Sequence, residues 1–276
     1  MKNNIDSQPD LLWHYTNLAG LLGIIEHQEL WATDLRYLND STEFKYGLER
    51  VLAVLRQRDD RYGDVADLFE EIADAVETII QAFVVCFSTH HDNLSLWRGY
   101  GHQGYALGFE RDKLEQYFGV SPFVEIFPPR LQQIAYKQGL QESLVDAVLA
   151  QHRIEPDPDT DGGAANIPLI MHLYLLTGAL KHPAFRDEGE IRLTFSRDIE
   201  DTGSDVKFRE GKLGPTPYLP LPLTDSAGVF KEALLRKIVV GPTPYPSEAE
   251  RGVRQFLETR GLRDVKVTSS EVPLRW

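Results

Sequence analysis

Polar and aromatic residues cluster where the predicted helices and strands begin or end, which is where loops and strand ends usually present functional groups. Four such groups stand out: at the end of the first apolar run, before the second predicted helix, after the apolar segment "FVVCFS", and around the start of "EIRLTF". Their members, in that order, are His14, Tyr15 and Thr16; Arg36, Tyr37, Asn39 and Asp40; Trp97, Arg98 and Tyr100; and Glu188, Glu190 and Arg192.

One reaction would use this combination of residue types. Cleavage of the nicotinamide–ribose bond of NAD builds positive charge on the ribose, and a carboxylate stabilises such an oxocarbenium-like transition state. The site needs a polar group to hold the ribose, an aromatic face for nicotinamide, a glutamate beneath the sugar and an arginine for the pyrophosphate. Candidates for these roles, in the same order, are His14, Tyr37 or Trp97, Glu190, and Arg36 or Arg98.

Each candidate also has an ordinary structural explanation. Taken alone, His14 is most often a core or rim histidine with a hydrogen-bonded ring nitrogen. Asp40 and Glu43 have the spacing of a capping box and are more often helix caps than catalytic acids. Packing or ion pairs with carboxylates would equally explain the aromatic and arginine candidates Trp97, Tyr100, Arg98 and Arg192.

The elements that must position these residues begin with a strand, a helix and a second strand. The pattern predicts a strand over "LLWHYT" and a helix over "NLAGLLGIIEHQ", whose apolar residues recur at helical spacing. Thr16 or Asn17 would cap this helix. A short strand, "LWAT", follows. His14 is therefore expected at the end of a strand.

The rest of the chain mixes helices and strands without strict alternation, which favours an α+β fold in a single domain over residues 1–276. The pattern predicts a helix from about Tyr62 to Ala82, a loop over "DNLSLWRGYGHQG", and an edge strand or loop over the proline-rich "GKLGPTPYLPLPL". A capping box of Ser247 and Glu250 is expected to begin the last helix.

Composition narrows the classes of function. The formal net charge of −13 argues against non-specific nucleic-acid binding. The single cysteine, Cys86, cannot form an internal disulfide, which fits a reducing cytoplasm. The apolar segment from Ile167 to Leu180 is too short to span a membrane, so no membrane partner is expected. No Cys/His cluster has zinc spacing, and no metal is implied.

Several segments together resemble a bacterial family catalogued as domain of unknown function 2971. They are "WHYTNLAGLLGIIEHQELWATDLRYLNDSTEFKYG", "CFSTHHDNLSLWRGYG", "FRDEGEIRL", "KIVVGP" and a closing motif of Ser270, Pro273 and Arg275. The likeness extends over nearly the whole chain, and the family name implies no activity.

The opening segment is also similar to ADP-ribosyltransferases of the DarT and RNA 2′-phosphotransferase kind, in which a strand ending in His-x-Thr precedes a helix and a short strand. This resemblance implies a mixed β core with peripheral helices and an NAD-dependent ADP-ribosyltransferase or NAD glycohydrolase, of the kind found in bacterial toxins and defence effectors. It implies that His14 contacts the NAD ribose with Thr16 beside it. Glu190 would be the catalytic glutamate, and Glu188 would share its face of the strand.

Two other classes of function stay open. The same pocket would suit a non-catalytic module that binds a nucleotide or a protein, in which Glu190 is dispensable. A hydrolase of nucleic acid or nucleotides would need a metal held by carboxylates such as Asp40 and Glu43, although no spacing demands one. The enzyme hypothesis requires His14 and Glu190 in one cleft large enough for NAD, with a protein, a nucleic acid or water as the acceptor.

Overall fold

The computed structural model describes residues 10–38, 41–58, 63–76, 80–100, 104–118, 129–152, 162–198, 205–211, 214–225, 227–231 and 234–273. The helices within these ranges are α1 (Leu18–His27), α2 (Ser41–Gln57), α3 (Gly63–Val76), α4 (Leu94–Tyr100), α5 (Arg111–Phe118), α6 (Gln138–Gln151), α7 (Gly162–Thr177) and α8 (Pro246–Thr259). Two short 3₁₀ segments cover Leu35–Tyr37 and Pro183–Glu188.

The strands are β1 (Leu11–Thr16), β2 (Glu29–Asp34), β3 (Ile80–Ser88), β4 (Tyr105–Glu110), β5 (Arg130–Gln133), β6 (Glu190–Asp198), β7 (Lys207–Gly211), β8 (Gly214–Pro222), β9 (Leu235–Val240) and β10 (Lys266–Ser269). Helices and a mixed sheet together confirm the α+β class. Neighbouring strands follow the order β10-β9-β4-β1-β3-β2-β8-β7, and β6 and β5 extend the sheet from β3. The described pairs are antiparallel, except for β9 with β10.

The sheet divides at β3. Along one edge, β6 pairs with the whole of β3, from Ile80 to Ser88. Along the other edge, β2 pairs with Phe83 and Val84, whereas β1 pairs with Ser88. The strands β1 and β2 therefore separate opposite Cys86, which lies between their pairing positions.

The two faces of the sheet carry different helices. Phe83 belongs to the core beneath α1, α5 and α8, and its face is called the α1 face below. Val84 and Ala82 pack against Phe44 of α2 and Leu175 of α7, so their face is called the α7 face. Neighbouring residues of a strand point to opposite faces, and this alternation decides which side chains of β1, β3 and β6 can meet.

The opening strand, helix and strand are confirmed, and Asn17 caps α1 because its side chain accepts a hydrogen bond of 2.8 Å from the Gly20 N–H. The predicted helix from Tyr62 to Ala82 was wrong at its end. Helix α3 ends at Val76, and Ala82 lies in β3, where a run of β-branched and aromatic residues favours a strand.

The proline-rich segment was also misjudged, because β8 pairs with β2 on one side and β7 on the other. Its prolines are staggered. Pro215 and Pro217 lie where only β7 is paired with β8, and Pro220 and Pro222 lie where only β2 is paired. Each proline thus has an open side among the described strands, so its missing N–H interrupts no ladder there.

The predicted capping box of α8 is absent. The helix begins after Tyr245 with Pro246 in its first turn, a position that suits proline because no intrahelical bond needs its N–H. The Glu250 carboxylate accepts hydrogen bonds from Arg254 at 2.9 Å and from Ser269 at 2.8 Å, which ties α8 to β10.

Candidate functional site

A cavity of about 330 Å³ opens on the α7 face of the sheet, between β1, β6, α4 and the segment after α7. Buried charges form its floor and aromatic rings form its walls. We call it the ionic cavity and define it by Trp13, Tyr15, Glu43, Lys181, Phe185, Glu188, Glu190 and Arg192.

Lys181 is the centre of the floor. Its Nζ lies 2.7 Å from Glu43 Oε1, 2.6 Å from Glu188 Oε2 and 3.0 Å from Glu190 Oε2. A lysine ammonium has three N–H donors, so these carboxylates use all of them. Glu43, which the sequence favoured as a helix cap, instead places both carboxylate oxygens in ion pairs with Lys181 and Arg192.

Arg192 completes the network. Its Nε donates to Glu190 Oε1 at 2.6 Å, and its Nη2 donates to Glu43 Oε2 at 2.6 Å and to Glu190 Oε2 at 3.1 Å. Its Nη1 donates to the Gly178 carbonyl oxygen at 2.8 Å. Four of the five N–H groups of the guanidinium therefore have acceptors within the protein itself.

The network fixes the charges of its members. Burial alone would raise the pKa of Glu190, but Arg192 and Lys181 outweigh burial and hold that pKa at about 2. Burial raises the pKa of Glu188, which Lys181 only partly offsets. Burial also raises the pKa of the Cys86 thiol, so this thiol, which lines the cavity, stays protonated.

Lys181 is positioned by a buried glutamine. Gln141, in the first turn of α6, donates from Nε2 to the carbonyl oxygens of Ala135 at 2.8 Å and Lys181 at 3.1 Å. Its Oε1 accepts from Tyr46 at 3.2 Å and from Arg50 at 3.1 Å, both on α2. The backbone of Lys181 is thus attached to α2 and α6 through a single side chain.

Trp13 and Tyr15 form the wall contributed by β1. The Trp13 ring lies over Gly108, its partner in β4, where an added Cβ would come within 2.8 Å of the ring. The Tyr15 ring packs edge-on against the buried Trp97, with ring centroids 4.6 Å apart. Tyr15 Oη donates to the His90 carbonyl oxygen at 2.9 Å. A glycine and a buried tryptophan therefore set this wall.

The segment predicted as a loop around Trp97 is the helix α4, so that prediction was wrong. Asn93 caps it, because Oδ1 accepts from the Ser95 N–H at 2.8 Å. Asn93 Nδ2 also donates to the Asp187 carbonyl oxygen at 2.6 Å. The asparagine before "LSLW" was the signal that could have predicted the helix.

The Asp92 carboxylate fixes the other side of α4. It accepts hydrogen bonds from Trp97 Nε1 at 2.6 Å, from Ser270 Oγ at 2.5 Å and from the Glu271 N–H at 2.7 Å. One carboxylate thus binds α4 to the segment that follows β10.

His14 lies on the other side of the sheet. Trp13 and Tyr15 line the ionic cavity, so alternation along β1 directs His14 to the α1 face, where its ring meets Phe87 with centroids 6.0 Å apart. Its Nδ1 lies 2.9 Å from the Cys86 carbonyl oxygen, where β1 and β2 separate. A carbonyl only accepts, so Nδ1 carries the proton. Burial lowers the pKa of His14, which keeps the ring neutral.

The structure brings together only part of the predicted site. Glu43, Glu188, Glu190, Arg192 and Tyr15 meet at the ionic cavity, with Trp97 behind its wall. The predicted strand spacing of the two glutamates was wrong. Glu188 ends a 3₁₀ segment and only Glu190 lies on β6, yet both carboxylates reach Lys181.

The remaining candidates lie elsewhere. Thr16 alternates with Tyr15 and shares the His14 side of β1. Arg36 pairs with the buried Asp34 at 2.7 Å, and Tyr37 ends a 3₁₀ segment. Arg98 is exposed on α4 and does not line the cavity. Asn39, Asp40 and the side chain of Tyr100 lie outside the described residues.

Sequence reasoning missed three members of the cavity: Trp13, Lys181 and Phe185. The signal for Lys181 was its position in "GALKHPAF", directly after an apolar helix, where a lysine that becomes buried needs carboxylate partners. Trp13 is adjacent to the residue that was singled out, His14, and alternation along the strand distinguishes the two.

A family model described as "Protein of unknown function (DUF2971)" matches residues 96–193. The match confirms the predicted resemblance to this family for residues 96–193, and the likeness predicted for the rest of the chain stays a prediction. The DUF2971 match begins in α4 and ends in β6, so it includes Lys181, Glu188, Glu190 and Arg192. No curated protein and no solved structure matches the chain.

Two searches of the described residues bear on other classes of site. No group of three or more histidine, cysteine, aspartate or glutamate side chains among them could hold a metal ion. Within the same ranges, no helix has the length and apolar character needed to cross a membrane.

Proposed function

We propose that the protein binds a small ligand carrying a positive charge, and that the ionic cavity is the binding site. The observation that carries this proposal is the order of exposure of the charged groups. The Glu188 and Glu43 side chains are 25% and 13% exposed, whereas Lys181 and Arg192 are only 5% and 4% exposed. A ligand entering the cavity therefore meets carboxylate oxygens first.

The balance of charge supports the same ligand. The floor has one more carboxylate than cations, and all three N–H groups of Lys181 and four of the five of Arg192 already point at acceptors of the protein. An anion would have to displace a buried carboxylate from a buried cation, which costs several kcal/mol, roughly 3–5, when one partner is left unpaired. A cation needs only to approach the Glu188 carboxylate, which is the most exposed of the three although one of its oxygens pairs with Lys181.

The walls also suit a cation. Trp13 and Phe185 line the cavity, and aromatic faces attract ammonium, guanidinium and cationic heterocycles. The protein already uses one of these rings in this way, since Lys181 Nζ lies 5.0 Å from the centroid of Phe185. The Trp13 ring is the corresponding surface for the ligand.

NAD-dependent ADP-ribosyl transfer, or NAD hydrolysis, is the second candidate, as in a toxin or defence effector. What favours it is that the N-ribosyl nicotinamide of NAD is itself a cationic aromatic ring, and that Glu190 stays ionised with a pKa of about 2. Ribose contacts would come from the carboxylates rather than from His14, which points to the α1 face. For the pyrophosphate, the proposal depends on Arg98, which is exposed on α4.

We further propose a cytoplasmic setting, supported by the single cysteine, and a ligand or acceptor other than bulk nucleic acid, supported by the net charge of −13. Under the enzymatic candidate the macromolecular acceptor would be recognised outside the described cavity.

The first test compares two ligands that share the nicotinamide ring and differ in an N-methyl group and in the positive charge that it creates. Calorimetric titration of the purified protein with the 1-methylnicotinamide cation should give binding at least about tenfold tighter than titration with neutral nicotinamide. Glu188→Gln should lower the affinity for the cation and leave the affinity for nicotinamide unchanged. Glu258→Gln, an exposed glutamate on α8, serves as the matched control. Equal affinity for the two rings, or an unchanged affinity in Glu188→Gln, would overturn the proposal.

The second test separates binding from catalysis. The protein is incubated with NAD, with and without cell lysate, and nicotinamide release is followed by chromatography. Release that Glu188→Gln slows, in protein whose melting temperature is unchanged, would support the transferase or glycohydrolase. Cation binding without release would support the binding module. Glu190→Gln alone does not distinguish binding from catalysis, because Glu190 also pairs with the buried Lys181 and Arg192 and its loss would destabilise the fold.

A further inference from the structure

A second cavity, of about 140 Å³, lies on the same α7 face of the sheet. It is bounded by α6, α7, β5 and β6, and we define it by Arg130, Leu144, Val148, His172, Leu175, Leu176, Thr194 and Ser196 and call it the histidine cavity. Thr194 and Ser196 follow Arg192 at alternate positions of β6, so the two cavities share one strand face. No role proposed above uses this second cavity.

Arg130 and His172 form its polar end, and His152 lies behind them in a chain of three basic side chains. Arg130 Nη1 lies 3.5 Å from His172 Nε2, and His172 Nδ1 lies 3.1 Å from His152 Nε2. Arginine only donates, so Nε2 of His172 accepts and its Nδ1 carries the proton that is shared with His152. Burial, then the charge of Arg130, lowers the pKa of His172 to about 4, so the imidazole is neutral near pH 7.

Arg130 is therefore the charged group of this cavity. Among the described residues, no aspartate or glutamate lines this cavity and no carboxylate lies within ion-pair distance of Arg130. The hydroxyl groups of Thr194 and Ser196 and the amide of Gln132 lie along the same strands. These groups suit a ligand with a single negative charge and oxygen acceptors.

The rest of the lining is apolar. Leu144 and Val148 of α6 face Leu175 and Leu176 of α7. A cavity of about 150 Å³ lined by aliphatic and aromatic side chains accepts a molecule the size of benzene. The histidine cavity has a similar volume, 140 Å³, and so matches a compact apolar body rather than a bare ion.

We propose that the histidine cavity binds a small organic monocarboxylate, with Arg130 pairing the carboxylate and the apolar part lying between α6 and α7. A phosphate would find one guanidinium for two charges and would leave the aliphatic walls facing a polar ion. A neutral aromatic molecule would fill the volume but leave the guanidinium without its partner.

Benzoate is the probe, and benzamide is its uncharged counterpart of nearly equal size. Calorimetric titration of the full-length protein should give an affinity for benzoate at least about tenfold higher than for benzamide. Acetate, which lacks the apolar body, should bind at least about tenfold more weakly than benzoate. Benzamide binding as tightly as benzoate, or no benzoate binding at millimolar concentration, would overturn the proposal.

Two variants locate the site. Arg130→Gln should lower benzoate affinity about tenfold or more, while Arg251→Gln, an equal change of charge on the exposed side of α8, should not change it. Ala147→Phe, at an exposed position of α6 that lines the cavity, should block benzoate without altering any charge. Unchanged benzoate affinity in both Arg130→Gln and Ala147→Phe would place the binding elsewhere and refute the assignment.

Discussion

Two arginines on neighbouring strands of one sheet face have opposite surroundings. Arg192 on β6 is 4% exposed, and carboxylates of Glu43 and Glu190 enclose it. Arg130 on β5 pairs across the ladder with Thr194, two residues from Arg192, and meets the imidazole of His172 instead of a carboxylate. The residue type and the sheet face are the same, but only Arg130 offers its charge to a ligand.

The difference follows from the cost of burying charge. A guanidinium removed from water needs acceptors built into the fold, and Arg192 has them on β6, on α2 and in the segment after α7. Arg130 is exposed and has no such requirement. A deeply buried cationic side chain is therefore weak evidence for an anion-binding site. The charge of a ligand is better inferred from the charged side chains that solvent can reach.

The largest expected effect is on stability. Glu190→Gln should lower the free energy of unfolding by about 3–5 kcal/mol, because it leaves buried Lys181 and Arg192 short of a partner. Arg130→Gln should change the free energy of unfolding by less than about 0.5 kcal/mol. Urea denaturation of both variants measures the contrast, and equal effects would remove the distinction between the two arginines.

The next effect is on acid stability. The pKa of Glu190 is depressed to about 2 from an ordinary value of 4.5, so its stabilising contribution is full above about pH 4.5 and is lost as the pH falls toward 2. The shift corresponds to roughly 3 kcal/mol. Denaturation between pH 5 and pH 2 should show this slope in the natural protein and a shallower one in Glu190→Gln. Parallel curves would contradict it.

A smaller effect is expected at the aromatic wall. Gly108→Ala places a Cβ 2.8 Å from the Trp13 ring, so the ring must shift, at a cost of about 1–3 kcal/mol. Affinity for the 1-methylnicotinamide cation should fall with it. Gly252→Ala on α8, whose added Cβ meets nothing within 4 Å, should leave both stability and affinity at least as high. Calorimetry and thermal melting of the two variants provide the comparison.

The smallest expected effect is between the cavities. Saturation with benzoate should change the affinity for the 1-methylnicotinamide cation by no more than about 0.5 kcal/mol, since the two sites share no side chain. Titration of one ligand in the presence of the other measures this coupling. Strong mutual exclusion would mean that both ligands occupy a single site and that the comparison of two cavities is wrong.

The opening elements of the fold were predictable from local patterns, whereas the α8 cap, the helix α4 and the long-range contacts of the site were not. The periodic apolar pattern and Asn17 fixed the opening elements, because capping and amphipathicity depend on residues a few positions apart. The ion pair of Glu43 with Arg192 joins residues 149 positions apart, and no local pattern indicates it. The glutamates of the site were therefore predicted from the sequence, whereas Lys181, the cation with which they pair, was not.

His14 illustrates a different limit. The sequence correctly placed it in a short strand, but residue chemistry was given more weight than strand alternation. Alternation alone would have assigned Trp13 and Tyr15 to one face and His14 to the other. His14 is a neutral histidine that donates a hydrogen bond to the Cys86 carbonyl oxygen, and its neighbours Trp13 and Tyr15 line the ionic cavity.

The Asp92 carboxylate has a consequence for biosynthesis. It holds Trp97 of α4 and, at the same time, Ser270 and the backbone of Glu271. During translation, Ser270 is made 178 residues after Asp92, so over that interval the nascent chain has this carboxylate without two of its hydrogen-bond donors. The cavity wall that rests on Trp97 is thus expected to form late in folding, after the strands that bear the ionic floor have been synthesised.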